Sequence, residues 1–303
     1  MEIRQLRALV AVADTGSVTR AAQVLHLVQP AVTRHIATLE DELGTQLFER
    51  SRAGMLLTEV GEQVLERARR ALREIDRAKE VASTADHSVS GHVSVGLLPS
   101  VARVIGLRLS DAIVSHHPGL QLQLTVGYAG HLAKWLESGA VDFAILFDQP
   151  MSSAFSVDPV AIEELWAIAP PGSLDDAGSP IPLEYVLAQP MIIPNPPHGL
   201  RTLIDAAAAR LGISPSVRLE TNDATLQRAL VADGLGWSML PASMATAGAQ
   251  GDDVIAVPTT PSLRRTLSLV RPRGRMSASE AVVHGALLES VTAMIEQGLW
   301  TAP

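Results

Sequence analysis

Cysteine is absent from all 303 residues, which excludes a disulfide framework, a thiolate metal site and a cysteine nucleophile. No apolar run approaches the roughly 18 residues of a spanning helix. The opening Met1-Glu2-Ile3-Arg4-Gln5 lacks the charged-then-apolar pattern of a secretory signal. A soluble, cytoplasmic chain without membrane contact is therefore expected. Lysine is scarce: Lys79 and Lys134 stand among 24 basic residues. The rest are arginines, whose planar forks suit phosphate or guanine, although GC-rich coding gives the same bias. Catalytic signatures are also missing. There is no Gly-x-Ser-x-Gly elbow and no Walker loop, and Gly234-Leu235-Gly236 lacks the third glycine of a dinucleotide fingerprint. The pair His116-His117 precedes Pro118-Gly119 at the end of a predicted helix, where a cation meets the helix dipole favourably, and nothing nearby completes a metal site. No enzyme activity, no cofactor and no metal are expected.

What is present is ordinary globular composition, 47% hydrophobic and 18% charged, over a length that suits two to three domains. Charge is unevenly spread. Residues 1–90 carry 12 basic and 13 acidic side chains, leaving 12 and 19 for residues 91–303. An acidic whole argues against a nucleic-acid partner, but the N-terminal third is close to neutral.

Three regimes follow one another. In the first, Ile3, Leu6, Leu9, Val10 and Ala13 recur at helical spacing. Thr15-Gly16-Ser17 ends that helix, and Ser17 is placed to cap a short second one carrying Val18, Ala21, Ala22 and Leu25. After His26-Leu27-Val28, a third helix is predicted from Gln29 to Leu43, with Pro30 in its first turn, where a missing N–H costs nothing. This is a helix-turn-helix pattern, and Leu47–Leu57 reads as a two-stranded wing. In the second regime Val64, Ala68, Ala71, Ile75, Ala78, Ala82 and Ala85 alternate at spacings of 4 and 3. That 3.5-residue seam predicts a helix that pairs along its length, the alternative being packing on its own domain. In the third, short apolar strands alternate with helices from His92 onward, which predicts a parallel sheet with helices on its faces. Strands are expected at Leu120–Val126, Phe143–Phe147, Trp166–Ala169, Met191–Ile193, 217–220, Gly236–Leu240 and Leu267–Val270, before a helix from about Ser279 to Glu296.

Residues 1–65 closely resemble the winged helix-turn-helix of LysR-type transcriptional regulators. The matching segments are Leu6–Val10, Gly16–Ala22, Gln29–Arg34, Leu39–Gly44 and Leu47–Arg50, with Leu57-Thr58 and Gly61 behind them. His92–Gly96, Gly139–Ile145 and Gly234–Pro241 extend the resemblance, and the stretch 91–147 is most similar to the nitrogen-assimilation-control subgroup. The resemblance implies an α N-terminal winged helix-turn-helix over residues 1–58 and a long linker helix, a dimerisation coiled coil, over 59–90. An α/β two-lobe, periplasmic-binding-protein-like effector domain then spans 91–303, with lobe I at about 91–161 and 268–303 and lobe II at about 162–267. It implies a homotetramer or dimer that binds double-stranded promoter DNA, a small-molecule effector and RNA polymerase. Membership of the nitrogen-control subgroup would imply that no small inducer is needed and that the protein responds to its expression level or to a protein partner.

In that reading the helix at 29–43 lies in the major groove. Gln29 is suited to adenine, Thr33 to a base, phosphate or thymine methyl, and Arg34 to guanine or phosphate. Pro30 shapes the helix start, Ser17 and Arg20 anchor phosphate, and Arg50 and Arg52 of the wing reach backbone or minor groove. Where the family carries Ser or Thr before Gln29, this chain has Val28, so a cap worth on the order of 1 kcal/mol is missing, and Val28 is expected instead to pack locally or to touch a thymine methyl. Effector contacts are expected beyond the carboxyl ends of strands. Ser100, Tyr128 and Phe147 would come from one lobe, and Asn195, His198 and Asn222 from the other. The helix N-termini and Arg201 favour an anionic effector, whereas Asp148 and Asp223 repel an anion or bind an amine, and a neutral or zwitterionic metabolite fits as well as a carboxylate. The competing function is a cytoplasmic small-molecule sensor that acts through protein contacts without DNA.

Overall fold

The computed structural model describes residues 1–51, 54–83, 89–147, 149–174, 179–246 and 254–303. Three helices open the chain: α1 (Ile3–Thr15), α2 (Val18–Val24) and α3 (Gln29–Leu43). Each helix turns one apolar stripe inward, so Leu6, Leu9, Val12, Ala21, Val32, Ile36 and Leu39 form one buried core. Ser17 caps α2 by accepting the Arg20 N–H at 3.4 Å. A hairpin of β1 (Phe48–Ser51) and β2 (Gly54–Leu57) makes the wing. Glu40 pins it to α3 by accepting the N–H groups of Leu47 (2.7 Å) and Phe48 (3.1 Å). At its tip Gly54 lies so close to the α1–α2 turn that a Cβ would stand 2.5 Å from the Gly16 carbonyl oxygen. Only glycine permits that approach, and φ of +119° favours it further.

The long helix α4 (Glu59–Ser83) corrects the expected seam. Leu65 and Ala68 are buried in the winged head's own core, with Val64 and Leu72 packed against it. The lower part of the stripe is therefore an intradomain contact with α1, while Ala71 and Ala78 stay exposed. Ala85 lies outside the described residues, and the side chain of Ala82 likewise. Farther along α4, Arg70 and Arg73 donate to the backbone carbonyls of Glu137 and Gly139.

The remainder runs β3 (Gly91–Leu97), α5 (Pro99–His116), β4 (Leu120–Val126), α6 (Ala129–Ser138), β5 (Phe143–Leu146) and the long β6 (Phe155–Ala169). Then come β7 (Ile181–Pro182), α7 (Leu183–Leu187), β8 (Pro190–Ile193), α8 (Gly199–Arg210), β9 (Ser216–Glu220), α9 (Ala224–Ala232), β10 (Ser238–Pro241) and α10 (Ala242–Ala245). The chain closes with β11 (Ile255–Val257), β12 (Thr259–Thr260), β13 (Leu263–Pro272) and α11 (Ala278–Glu296). A seven-stranded sheet has the order β10-β6-β13-β5-β3-β4, with β11 also on β6. The expected parallel sheet is in fact mixed. β3 pairs parallel with β4 and β5, whereas β13 pairs antiparallel with β5 and β6. β8 and β9 form a separate parallel pair.

Two strands are far longer than the predicted Trp166–Ala169 and Leu267–Val270. β6 and β13 pair along their length and thread both lobes. Ala161 and Leu267 lie in the core built by β3–β5, α5, α6 and α11. Leu165 and Leu263 lie in the core built by α7, α8 and β8. Between them, at the crossing, Glu163 faces Arg265 in register. Among the described residues no helix is long and apolar enough to cross a membrane.

Candidate functional site

Two surfaces collect the residues singled out from the sequence. On the winged head, α3 buries Val32, Ile36 and Leu39 and presents Gln29, Pro30 and Arg34 to solvent, with Thr33 half-buried beside them. Gln29 donates to the Thr33 hydroxyl at 3.2 Å, and that hydroxyl donates to the Gln29 carbonyl at 3.2 Å, so the two polar groups are mutually oriented one turn apart. Val28 starts the helix without any side-chain cap and is 70% exposed. It therefore does not pack locally. Ser17 is engaged as a helix cap, and Arg20 is exposed one turn on.

Charge pairing divides the arginines of this region. Arg4 pairs with Glu2, Arg69 with Asp14 and Arg70 with Glu66, while Arg73 reaches Asp142 at 3.6 Å. Arg20 and Arg34 have no carboxylate partner among the described residues. Arg52 and the side chain of Arg50 lie outside the described residues.

The second surface is the cleft between the lobes, where the N-termini of α5, α6, α8 and α9 converge. Ser100, Tyr128, Phe147, His198 and Asn222 all line one cavity of about 40 Å³. Asn195 does not: it is exposed in the loop before α8, and Pro194 takes the wall position instead. Asp148 lies outside the described residues. Arg201, expected to attract an anion, is turned away and held by Asp205 (2.8 Å), Glu220 (2.5 Å) and the Pro194 carbonyl (3.1 Å). Asp223 caps α9 by accepting the N–H groups of Thr225 and Leu226.

Sequence reasoning missed the centre of the site. Arg265 donates to Glu163 Oε2 from Nε (2.8 Å) and Nη2 (2.5 Å), and Nη2 also reaches Ser100 Oγ at 2.9 Å. Ser100 in turn donates to the same carboxylate oxygen at 3.2 Å. All three are buried, Glu163 to 1% exposure, and Glu163 Oε1 has no partner. The Arg265 guanidinium also lies 4.2 Å over the Phe147 ring, a cation–π contact. Gln227, another buried wall residue, donates to the Thr221 carbonyl and accepts from Ser238. Its helical setting and polar neighbours gave no signal of burial.

The lobes touch across this cavity. The Tyr128 hydroxyl donates to the Asn222 carbonyl at 2.5 Å, and its ring meets His198 edge-on with centroids 4.6 Å apart. A Cβ on Gly199 would stand 2.9 Å from Phe147, so glycine is what lets α8 close on that ring. His198 Nδ1 accepts the Leu200 N–H at 3.2 Å, which fixes the neutral tautomer with its proton on Nε2. Burial, helped by the charge of Arg265 and by His131, pulls its pKa down to about 4. Nε2 is buried and unpartnered. Tyr128 is pushed up from its ordinary value by burial and then by Asp223.

Residues 3–62 match the family model of the bacterial regulatory helix-turn-helix protein, lysR family. Residues 86–292 match that of the LysR substrate binding domain. The nitrogen assimilation regulatory protein nac of Klebsiella aerogenes is 29% identical over 96% of each chain. A hydrogen peroxide-inducible genes activator of Pectobacterium carotovorum is 31% identical, covering 91% of this chain and 93% of its own. Among solved structures, a full-length OxyR variant from Pseudomonas aeruginosa superposes with a TM-score of 0.76 at 23% identity, over 96% of this chain and 94% of the other. Full-length CbnR complexed with its target DNA superposes at 0.67 and 24% identity, over 96% and 100%. These regulators are not enzymes by name, and the two solved structures share the fold of winged head and two-lobe domain. The chain belongs to the LysR family of DNA-binding transcriptional regulators, with a helix-turn-helix head and an effector-binding domain.

Proposed function

We propose that this regulator reads double-stranded promoter DNA with α3, and that a small molecule in the interlobe cleft changes how it does so. The observation that carries the reading is the face of α3 opposite its buried stripe, where Gln29 and Arg34 stand in solvent beside the half-buried Thr33, Arg34 having no carboxylate partner among the described residues. Gln29 and Arg34 address base edges in the major groove, Pro30 sets the helix start, and Thr33 orients Gln29. Ser17 presents the start of α2, and Arg20 meets phosphate, with Arg50 and Arg52 of the wing on the flanking backbone. Exposed Val28 meets a thymine methyl.

The head at residues 1–58 is joined by the linker at 59–90 to the effector domain at 91–303, in a cytoplasmic protein. Ala71 and Ala78, left exposed on α4, form the pairing surface of a dimer, and two dimers assemble into a tetramer that contacts RNA polymerase. One nearly neutral head binds weakly, so linking several heads supplies the affinity. A ligand with different affinities for the open and closed cleft shifts how the heads are spaced.

The test is a footprint on the DNA upstream of the protein's own gene and on promoter fragments selected from the genome, at two salt concentrations. Protection over several helical turns that weakens as salt rises is expected. No protection on any fragment at low salt would favour the sensor that works through protein contacts.

A further inference from the structure

The cleft's own chemistry narrows what it can hold, given the reading that it is a ligand site. We propose that it takes a compact, uncharged, mostly apolar molecule with one carbonyl oxygen, which accepts the Nε2–H of His198, and that it rejects carboxylates.

The first argument is charge. Among the described residues Arg265 is the cation on the cavity wall, and it is neutralised by Glu163 through two hydrogen bonds to one oxygen. The other oxygen of Glu163 is buried and unpartnered. The converging N-termini of α5, α6, α8 and α9 would favour an anion. A ligand carboxylate here would nonetheless be a second anion beside Glu163, one oxygen of which already lacks a donor, and the Arg265 charge is taken up by Glu163. Arg201 is removed from the cavity by Asp205 and Glu220.

The second argument is hydrogen-bonding capacity. Ser100 and Gln227 are occupied by neighbours of their own. The Tyr128 proton goes to Asn222, leaving a lone pair. His198 Nε2, fixed as a donor by the bond at Nδ1, is the buried polar atom on the wall with nothing to bond. An unmade buried bond of this kind favours an occupant that completes it. The surrounding wall is apolar, from Leu98, Ala129, Phe147, Leu200 and Met244.

The third is size. About 40 Å³ accommodates a few water-sized atoms, far below the roughly 300 Å³ at which ordinary ligand pockets begin. Any larger occupant must part Tyr128 from Asn222 and lift Gly199 off Phe147, so binding and lobe opening are one event.

Pairs of the same shape, a neutral amide against its carboxylate, test this: isobutyramide against isobutyrate, and benzamide against benzoate. Each is titrated into the full-length protein carrying methyl-labelled methionine. The methyl signal of Met244, assigned by substitution, reports on the cavity. The amides are expected to shift it saturably, at least about tenfold more tightly than the carboxylates. In Glu163→Gln the preference should shrink or invert, because Arg265 is then uncompensated. His198→Asn retains a capping acceptor at the start of α8 and should weaken the amides about tenfold without altering the carboxylates. A thermal melt of each variant establishes that it folds. Carboxylates binding the wild type as well as or better than the amides would overturn the assignment of ligand class while leaving the cleft as a ligand site. No probe of either kind moving Met244 would overturn the ligand reading of the cleft itself. Neither outcome touches DNA binding, which the footprint reads separately.

Discussion

The winged head and the interlobe cleft handle the same residue, arginine, in opposite ways. Arg34 on α3 and Arg20 on α2 project into solvent with no carboxylate partner among the described residues. Arg265 in the cleft is buried, doubly bonded to Glu163, bonded to Ser100 and stacked on Phe147. An exposed guanidinium costs little to leave open, because water solvates it until a phosphate or base arrives. A buried one must be compensated inside the protein. The head therefore keeps its charge available for a polyanion, whereas the arginine in the cleft wall is neutralised by Glu163. The overall charge of −8 says little about either site, since function depends on which charges remain unpaired.

The contrast can be broken most severely at the buried pair. Arg265→Met leaves Glu163 uncompensated and should cost about 3–5 kcal/mol of stability, whereas Glu163→Leu with Arg265→Met should restore most of that loss. Urea unfolding of the two variants measures the difference, and equal losses would mean that the pair is not what holds the crossing strands. In the head, removing an exposed side chain should leave stability alone. Arg34→Ala and Gln29→Ala should each weaken binding to the specific site by about 1–3 kcal/mol with an unchanged melting temperature. Wild-type affinity in competition binding would place the reading face elsewhere. A smaller effect is expected from Val28→Ser, which supplies the missing cap of α3 and should add about 1 kcal/mol to stability, visible as a shifted denaturant midpoint.

The finest distinction concerns protons. His198 titrates at about 4 in the folded protein against an ordinary 6.5. Because the folded value is depressed, the unfolded chain binds more protons between these limits. Stability is then fully present above about pH 6.5 and falls as pH drops toward 4. A histidine-resolved NMR titration should show His198 unprotonated at about pH 5.5, between the two values. A midpoint near 6.5 would mean that the ring is more open to water than its setting implies.

Legibility in the sequence followed the same divide. The winged head was readable because its signals are local: Ser17 before α2, Pro30 in the first turn of α3, and Leu6, Leu9, Val32 and Ile36 at helical spacing. Tyr128, His198 and Asn222 were readable because each stands where a strand gives way to a helix, and Phe147 because it ends the strand β5. The crossing strands were not. Glu163 and Arg265 occupy core-facing positions of β6 and β13, so the polar letters break the alternation that marks a half-buried strand. Their partnership spans about a hundred residues and has no local trace. Asn195 failed for a simpler reason: its loop turns outward before α8 begins at Gly199. Val64 and Ala68 show a further limit, because an apolar stripe announces burial without saying against what. Here part of it is answered by α1 of the same chain.

The threading of β6 and β13 has a consequence for how the protein is made. The core shared by β3, β5, α5 and α11 draws on both ends of the effector domain, so it stays incomplete until α11 has left the ribosome. The other lobe's core is one uninterrupted stretch from the end of β6 to the start of β13 and can assemble earlier. The winged head emerges first, needing no residue beyond α4 for its core. Translation thus delivers a finished DNA-reading head while its sensor is still half built, and a chain truncated before β13 keeps the head but loses the sensor.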